Sequence, residues 1–191
     1  MSILNQLSSQ VGDRTEQSNL EVVALCLDQP ALLAEIAAGL TRNEAALLGD
    51  CAEVLTKVAE ERPDLVAPHA NALTPLLAHK TTRIRWEAMH ALALIAPVVP
   101  EPIHSLLPRL REILRNDSSV IVRDYATEAV ANYARTGSQA AQAAYPILLE
   151  ALTVWNEKHA GRALSGLSHV AAAAPELADE LHFEKSFALA L

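Results

Sequence analysis

The sequence predicts an all-α protein, an α-solenoid of about five antiparallel helix pairs, and three observations lead there. The first is composition: apolar residues make up 51% of the 191 residues and aromatics only 4%, so Ala, Leu and Val must build the core. Ala and Leu are strong helix formers, whereas strands favour β-branched and aromatic side chains. The second is a small-residue stripe that recurs every 36–38 residues, and the third is a pair of aliphatic positions that drifts with it. A period of this length is the mark of a repeat architecture, in which each unit hides its apolar face only against its neighbours.

The stripe is clearest as Arg85, Ala88, Ala91, Leu92, Ile95 and Ala96. It returns as Arg123, Ala126, Ala129, Val130, Tyr133 and Ala134, and again as Ala160, Ala163, Gly166, Leu167, Val170 and Ala171. A weaker copy precedes them at Gly49, Ala52, Leu55, Thr56 and Ala59. Steps of three and four place each set on one helix face, where small side chains let another helix approach. The aliphatic pair falls on the following helix. Ile36, Leu73, Leu110 and Leu148 are spaced 37, 37 and 38 apart, and Leu40, Leu77, Leu114 and Leu152 keep those steps.

Taken in order, helices are expected at 18–28, 30–41, 44–60, 63–79, 82–96, 101–115, 119–135, 138–155, 159–173 and 175–188. Residues 1–17 form a polar leading segment, followed by repeat units of roughly 18–42, 43–80, 81–117, 118–156 and 157–191. Pro30, Pro63, Pro102 and Pro175 each open or precede a second helix, where the missing N–H has no intrahelical partner. Gly137-Ser138 serves in the remaining unit, Gly ending one helix and Ser capping the next. Asn116-Asp117-Ser118-Ser119 supplies turn and cap before the Arg123 helix. Pro108 and Pro146 lie two residues before the inner leucine. Either they sit inside the second helix and bend it, or that helix begins nearer the proline.

The run Asn116-Asp117-Ser118-Ser119-Val120-Ile121-Val122-Arg123-Asp124-Tyr125-Ala126-Thr127-Glu128-Ala129 resembles the start of a HEAT repeat, and Thr82 to Ala88 repeats the idea without the acidic turn. The resemblance to HEAT/armadillo-type repeats covers roughly 30–175. It implies architecture rather than a particular role, because such repeats serve many functions. The 44–60 helix lacks the Arg, and Lys185 stands where another Leu is expected.

Charge points to a candidate surface. Residues 80–123 carry a net +3 while the rest carries −11, giving −8 overall. Arg83, Arg85, Arg109, Arg111, Arg115 and Arg123 are therefore the candidate partner-binding residues. Arg suits bidentate contacts to carboxylate or phosphate. Arg109 and Arg111 are two apart and cannot share one narrow helix face. The alternative is a structural ladder, with Arg85 and Arg123 pairing with local acids such as Asp117. The functional expectation is a non-enzymatic protein-interaction scaffold. A structural or oligomeric subunit is the second reading, and a glycosylase of the DNA-alkylation-repair type the third.

The acidic total argues against general nucleic-acid binding, which needs excess Lys and Arg. Aromatics are too few for the glycosylase, and Tyr125, Tyr133, Trp86 and Trp155 read as packing or edge residues. The seven histidines form no metal-type spacing, no phosphate loop or nucleophile elbow occurs, and no cofactor is expected. Cys26 and Cys51 read as small core residues. No segment reads as a signal peptide or membrane span, so a cytoplasmic protein is expected. The apolar end from Phe183 to Leu191 either caps the last helix or forms a homo-oligomer contact.

Overall fold

The computed structural model describes residues 2–177. It is helical throughout, with no strand among the described residues, and divides in sequence between Val99 and Pro100 into two compact units. The boundary falls inside the expected 81–117 repeat.

In the first unit, a 3-10 turn at Ile3–Gln6 precedes α1 (Ser8–Val11) and α2 (Gln17–Asp28). A second turn at Pro30–Leu32 leads into α3 (Leu33–Gly39), followed by α4 (Ala45–Glu61). Next come α5 (Pro63–Val66), α6 (Ala70–Leu73) and α7 (Thr82–Ile95). α4 is the spine: α2, α3 and α7 all pack against it. The contact of α4 with α7 joins first helices of successive repeats, as stacking requires.

The opening residues are not a separate polar segment. Ile3, Leu4 and Leu7 are buried, Leu7 completely, because two apolar residues and a third one turn later give this stretch an apolar edge. The helix expected over 63–79 is broken into α5 and α6 by 3-10 turns at Ala67–His69 and Thr74–Ala78. Pro68 and Pro75 lie in those turns, and each removes a backbone donor that a continuous α-helix would use.

The second unit contains α8 (Pro100–Asn116), α9 (Val120–Ala134), α10 (Ser138–Thr153) and α11 (Ala160–Ala173). α9 packs against the other three, and α10 lies along α11. Pro108 and Pro146 are both inside continuous helices, which settles the two readings of those prolines. Ser119 caps α9 by accepting from Val122 N–H at 3.4 Å. Gly137 takes the N-cap of α10 itself, at φ 154°, a conformation that excludes a side chain at low cost. The stripe residues Ala88, Ala91, Ala126, Ala129 and Ala163 are all buried. So are Ile36, Leu73, Leu110 and Leu148. The features expected at Lys185 and Phe183–Leu191 lie outside the described residues.

Candidate functional site

α8 is amphipathic by construction. Ile103, Leu107, Leu110, Ile113 and Leu114 are buried, an apolar stripe at intervals of three and four. Arg111 and Arg115 are one turn apart and flank that stripe, so both point toward the neighbouring α10. There they converge on Glu150. Arg111 Nε donates to Glu150 Oε2 at 2.7 Å and Arg115 Nη2 to the same oxygen at 2.8 Å, while Arg115 Nε donates to Oε1. The arginine side chains are 40% and 49% exposed, the carboxylate only 17%. The Arg115 and Arg111 hydrogen bonds outweigh burial and hold the Glu150 carboxyl below its ordinary range; Arg115 is correspondingly raised. Two cations share one anion, so the cluster keeps a net positive charge. Arg109 faces elsewhere, as its spacing requires, and pairs with Glu112 at 2.6 Å.

Arg123 does not belong to this surface. Of the two readings open for it, partner contact or a structural tie to acids such as Asp117, its 2% exposure fits the structural one. Its guanidinium lies 3.8 Å from the centre of the Trp155 ring, and it donates to the Asp117 carbonyl and, at 3.1 Å, to His159 Nε2. These contacts offset the cost of burying a cation, which alone lowers its pKa. Arg85 repeats part of this, donating to the carbonyls of His79 and Lys80 at 2.9 and 3.2 Å. Each of these repeat-equivalent arginines ties down the turn before its own helix, bonding a carbonyl six residues back.

Arg83 also has an internal role. From α7 it reaches Glu53 and, at 3.5 Å, Asp50, both buried on α4. Glu53 additionally accepts from Asn19 at 2.9 Å, and Asp50 from the Ser9 N–H at 2.8 Å. These groups line a cavity of about 400 Å³ with Trp86 and Glu87. Glu87 is buried, which pushes its carboxyl pKa up, although Trp86 Nε1 donates to it at 2.8 Å. The six candidate arginines thus divide: Arg85 and Arg123 tie down backbone carbonyls, Arg83 pairs with buried carboxylates while its side chain stays 45% exposed, and Arg109, Arg111 and Arg115 lie on one accessible helix.

Neither Glu150 nor His159 is singled out by the sequence, and Trp155 reads there as a packing or edge residue without its arginine partner. Glu150 stands 35 and 39 residues from its arginines and His159 36 from Arg123, about one repeat. The period was the available signal, since it brings residues one repeat apart side by side.

No protein-family model and no curated protein matches the chain. Solved structures do match its fold. A designed armadillo repeat protein superposes with TM-score 0.72 at 18% identity, covering 94% of this chain and 87% of the other. Another, in complex with the peptide (KR)4, gives 0.74 at 17%, covering 97% and 87%. An engineered protein gives 0.68 at 19% over 88% of this chain, which spans only 46% of that longer one. The fold is therefore an armadillo/HEAT-type helical repeat solenoid.

Proposed function

We propose that the chain is a non-enzymatic scaffold that binds an acidic segment of another protein at the arginine row of α8. The observation that carries this reading is the convergence of Arg111 and Arg115 on Glu150. Two half-exposed guanidiniums are already held at the spacing of one carboxylate, so little side-chain freedom remains to be lost on binding. A carboxylate or phosphate from a partner replaces Glu150 or joins it, using the donors Arg presents in a planar fork. Arg109 at the rim adds attraction rather than a fixed contact.

The fold is compatible with such use, since one designed armadillo protein is in complex with a peptide. The basic character of that peptide belongs to that protein; the arginines of α8 select the opposite sign. We place the scaffold in the cytoplasm, where a reducing milieu suits its two buried free thiols, Cys26 and Cys51.

The test is affinity capture from the source organism with the native chain and with an Arg109→Glu/Arg111→Glu/Arg115→Glu variant, matched for helicity and melting temperature. The reading expects proteins retained by the native chain and lost by the variant. Identical capture by both would overturn it.

A further inference from the structure

We infer that the cavity bordered by α1, α2, α4 and α7 in the first unit binds a small aliphatic diamine, held by its ammonium groups. Residue spacing builds the site. Asp50 and Glu53 are three apart on α4, and Arg83, Trp86 and Glu87 are three and four apart on α7, so each set shares a helix face. The packing of α4 on α7 turns those faces toward one another, and Ser8 of α1 lines the same space. Its volume of about 400 Å³ falls within the range of about 300–1,000 Å³ that small-molecule sites occupy.

The lining is acidic. Asp13, Glu16, Asp50, Glu53 and Glu87 are set against two cations, Arg14 and Arg83, a formal excess of three negative charges. Asp50, Glu53 and Glu87 are the buried ones, at 3, 3 and 8% exposure, and Arg83 reaches Glu53 and Asp50. Glu87 has the Trp86 indole N–H in place of a cation, while burial and the neighbouring Glu53 both disfavour its charge. Lys57 feels Glu87 and Glu16, but it pairs with Glu60 at 3.2 Å and does not line the cavity. Buried carboxylates in excess of their cations favour a positive occupant.

A second observation is independent of charge. Ser8 is 6% exposed and its N–H donates to Asn19 at 2.9 Å, yet its hydroxyl has no hydrogen-bond partner. Buried hydroxyls are ordinarily satisfied, so this one marks a missing neighbour on the cavity wall. A primary ammonium answers both features, since its compact head carries three N–H donors for a hydroxyl and two carboxylates. No three Asp, Glu, His or Cys side chains among the described residues gather closely enough for a metal ion, which favours an organic cation. Trp86 borders the space and offers its ring to the alkyl chain and its charge. Asp13 and Glu16, nearer solvent than the other three acids, suit a second ammonium at the rim. The site stands apart from the arginine row of α8 and does not depend on it.

The probe is 1,4-diaminobutane, titrated into the native chain at pH 7 by calorimetry and followed by proton–nitrogen NMR of the two tryptophan indoles. The expected result is saturable one-to-one binding that shifts the Trp86 indole signal and leaves that of Trp155 in place, with Trp86→Phe assigning the pair. Glu87→Gln removes a buried charge and keeps the fold, and it should weaken binding about ten-fold or more. Ser8→Ala deletes a hydroxyl that has no bond to lose in the free protein, and it should weaken binding about two- to ten-fold. Failure to saturate, equal movement of both indoles, or unchanged affinity in either variant, each shown to be folded by circular dichroism, overturns the site. A capped lysine peptide that binds where the diamine does not also overturns it, by putting a partner's side chain in place of a small molecule.

Discussion

Gly166 on α11 occupies the repeat position held by Ala91 and Ala129, and replacing it by Ala tests how closely the helices of the second unit approach. A Cβ there would stand 2.7 Å from Leu148 Cδ2 and 2.8 Å from Ala131 Cβ. Carbon atoms prefer about 3.5–4.0 Å, so both contacts overlap by close to 1 Å. The leucine terminus can rotate away, but the Ala131 methyl is fixed to the backbone of α9. Separating the helices should cost about 1–3 kcal/mol, set against a helix-propensity gain of up to about 1 kcal/mol. Gly161, on the same helix, is the internal standard, because nothing lies within 4 Å of a Cβ added there. Gly161→Ala should therefore gain roughly 0.5–1 kcal/mol where Gly166→Ala loses stability. Urea melts followed by circular dichroism at 222 nm should separate the two variants by about 1–3 kcal/mol. If Gly166→Ala is as stable as Gly161→Ala, the close meeting of α9, α10 and α11 is wrong.

Three further outcomes follow from the same structure. Leu110→Ala should lose about 2–5 kcal/mol in a denaturant melt through the cavity it leaves, and a loss below about 1 kcal/mol would remove Leu110 from the core. Glu87→Gln should stabilise the protein at pH 7. Burial raises this carboxyl's folded pKa, so its ionised form opposes folding above that value, and the advantage of Gln should fade as pH falls through it. A chemical melt at pH 7 and pH 4 reads the difference, and an advantage that grows in acid would reverse the assignment. Glu150 has the opposite sign: its carboxyl is lowered, so its pairing contributes above the ordinary range near 4.3 and is lost as pH falls through the lower folded value. Glu150→Gln should then melt below the native protein at pH 7 and converge with it in strong acid.

How much of this was legible beforehand depends on whether the cause was local. Helix ends set by Pro63, Ser119 and Pro100 came within a residue or two of expectation, because caps and prolines act on their own turn. The aliphatic row at Leu73, Leu110 and Leu148 was legible for another reason: its spacing is the repeat itself. Around Pro68 and Pro75 the leucine pattern reads as one continuous helix, yet the two missing N–H donors act together and split it into α5 and α6. For Arg123 the binding and the structural readings both stay open in the sequence, because charge alone does not tell an exposed cation from a buried one. Its surroundings are set by Trp155 and His159, about a repeat later. Glu150 lies outside residues 80–123, so the charge balance of that window does not contain the acid that faces its arginines.

The central claim is that Arg111 and Arg115 form an anion site which Glu150 holds ready and partly occupies. Its most direct test is calorimetric titration of the captured partner's acidic segment into the native chain and into Glu150→Gln at pH 7. Removing the internal competitor should tighten binding by about two- to five-fold, the scale of exposed ion pairs, with the gain shrinking as salt rises. Equal or weaker affinity for Glu150→Gln, in a variant that remains folded, would contradict the account.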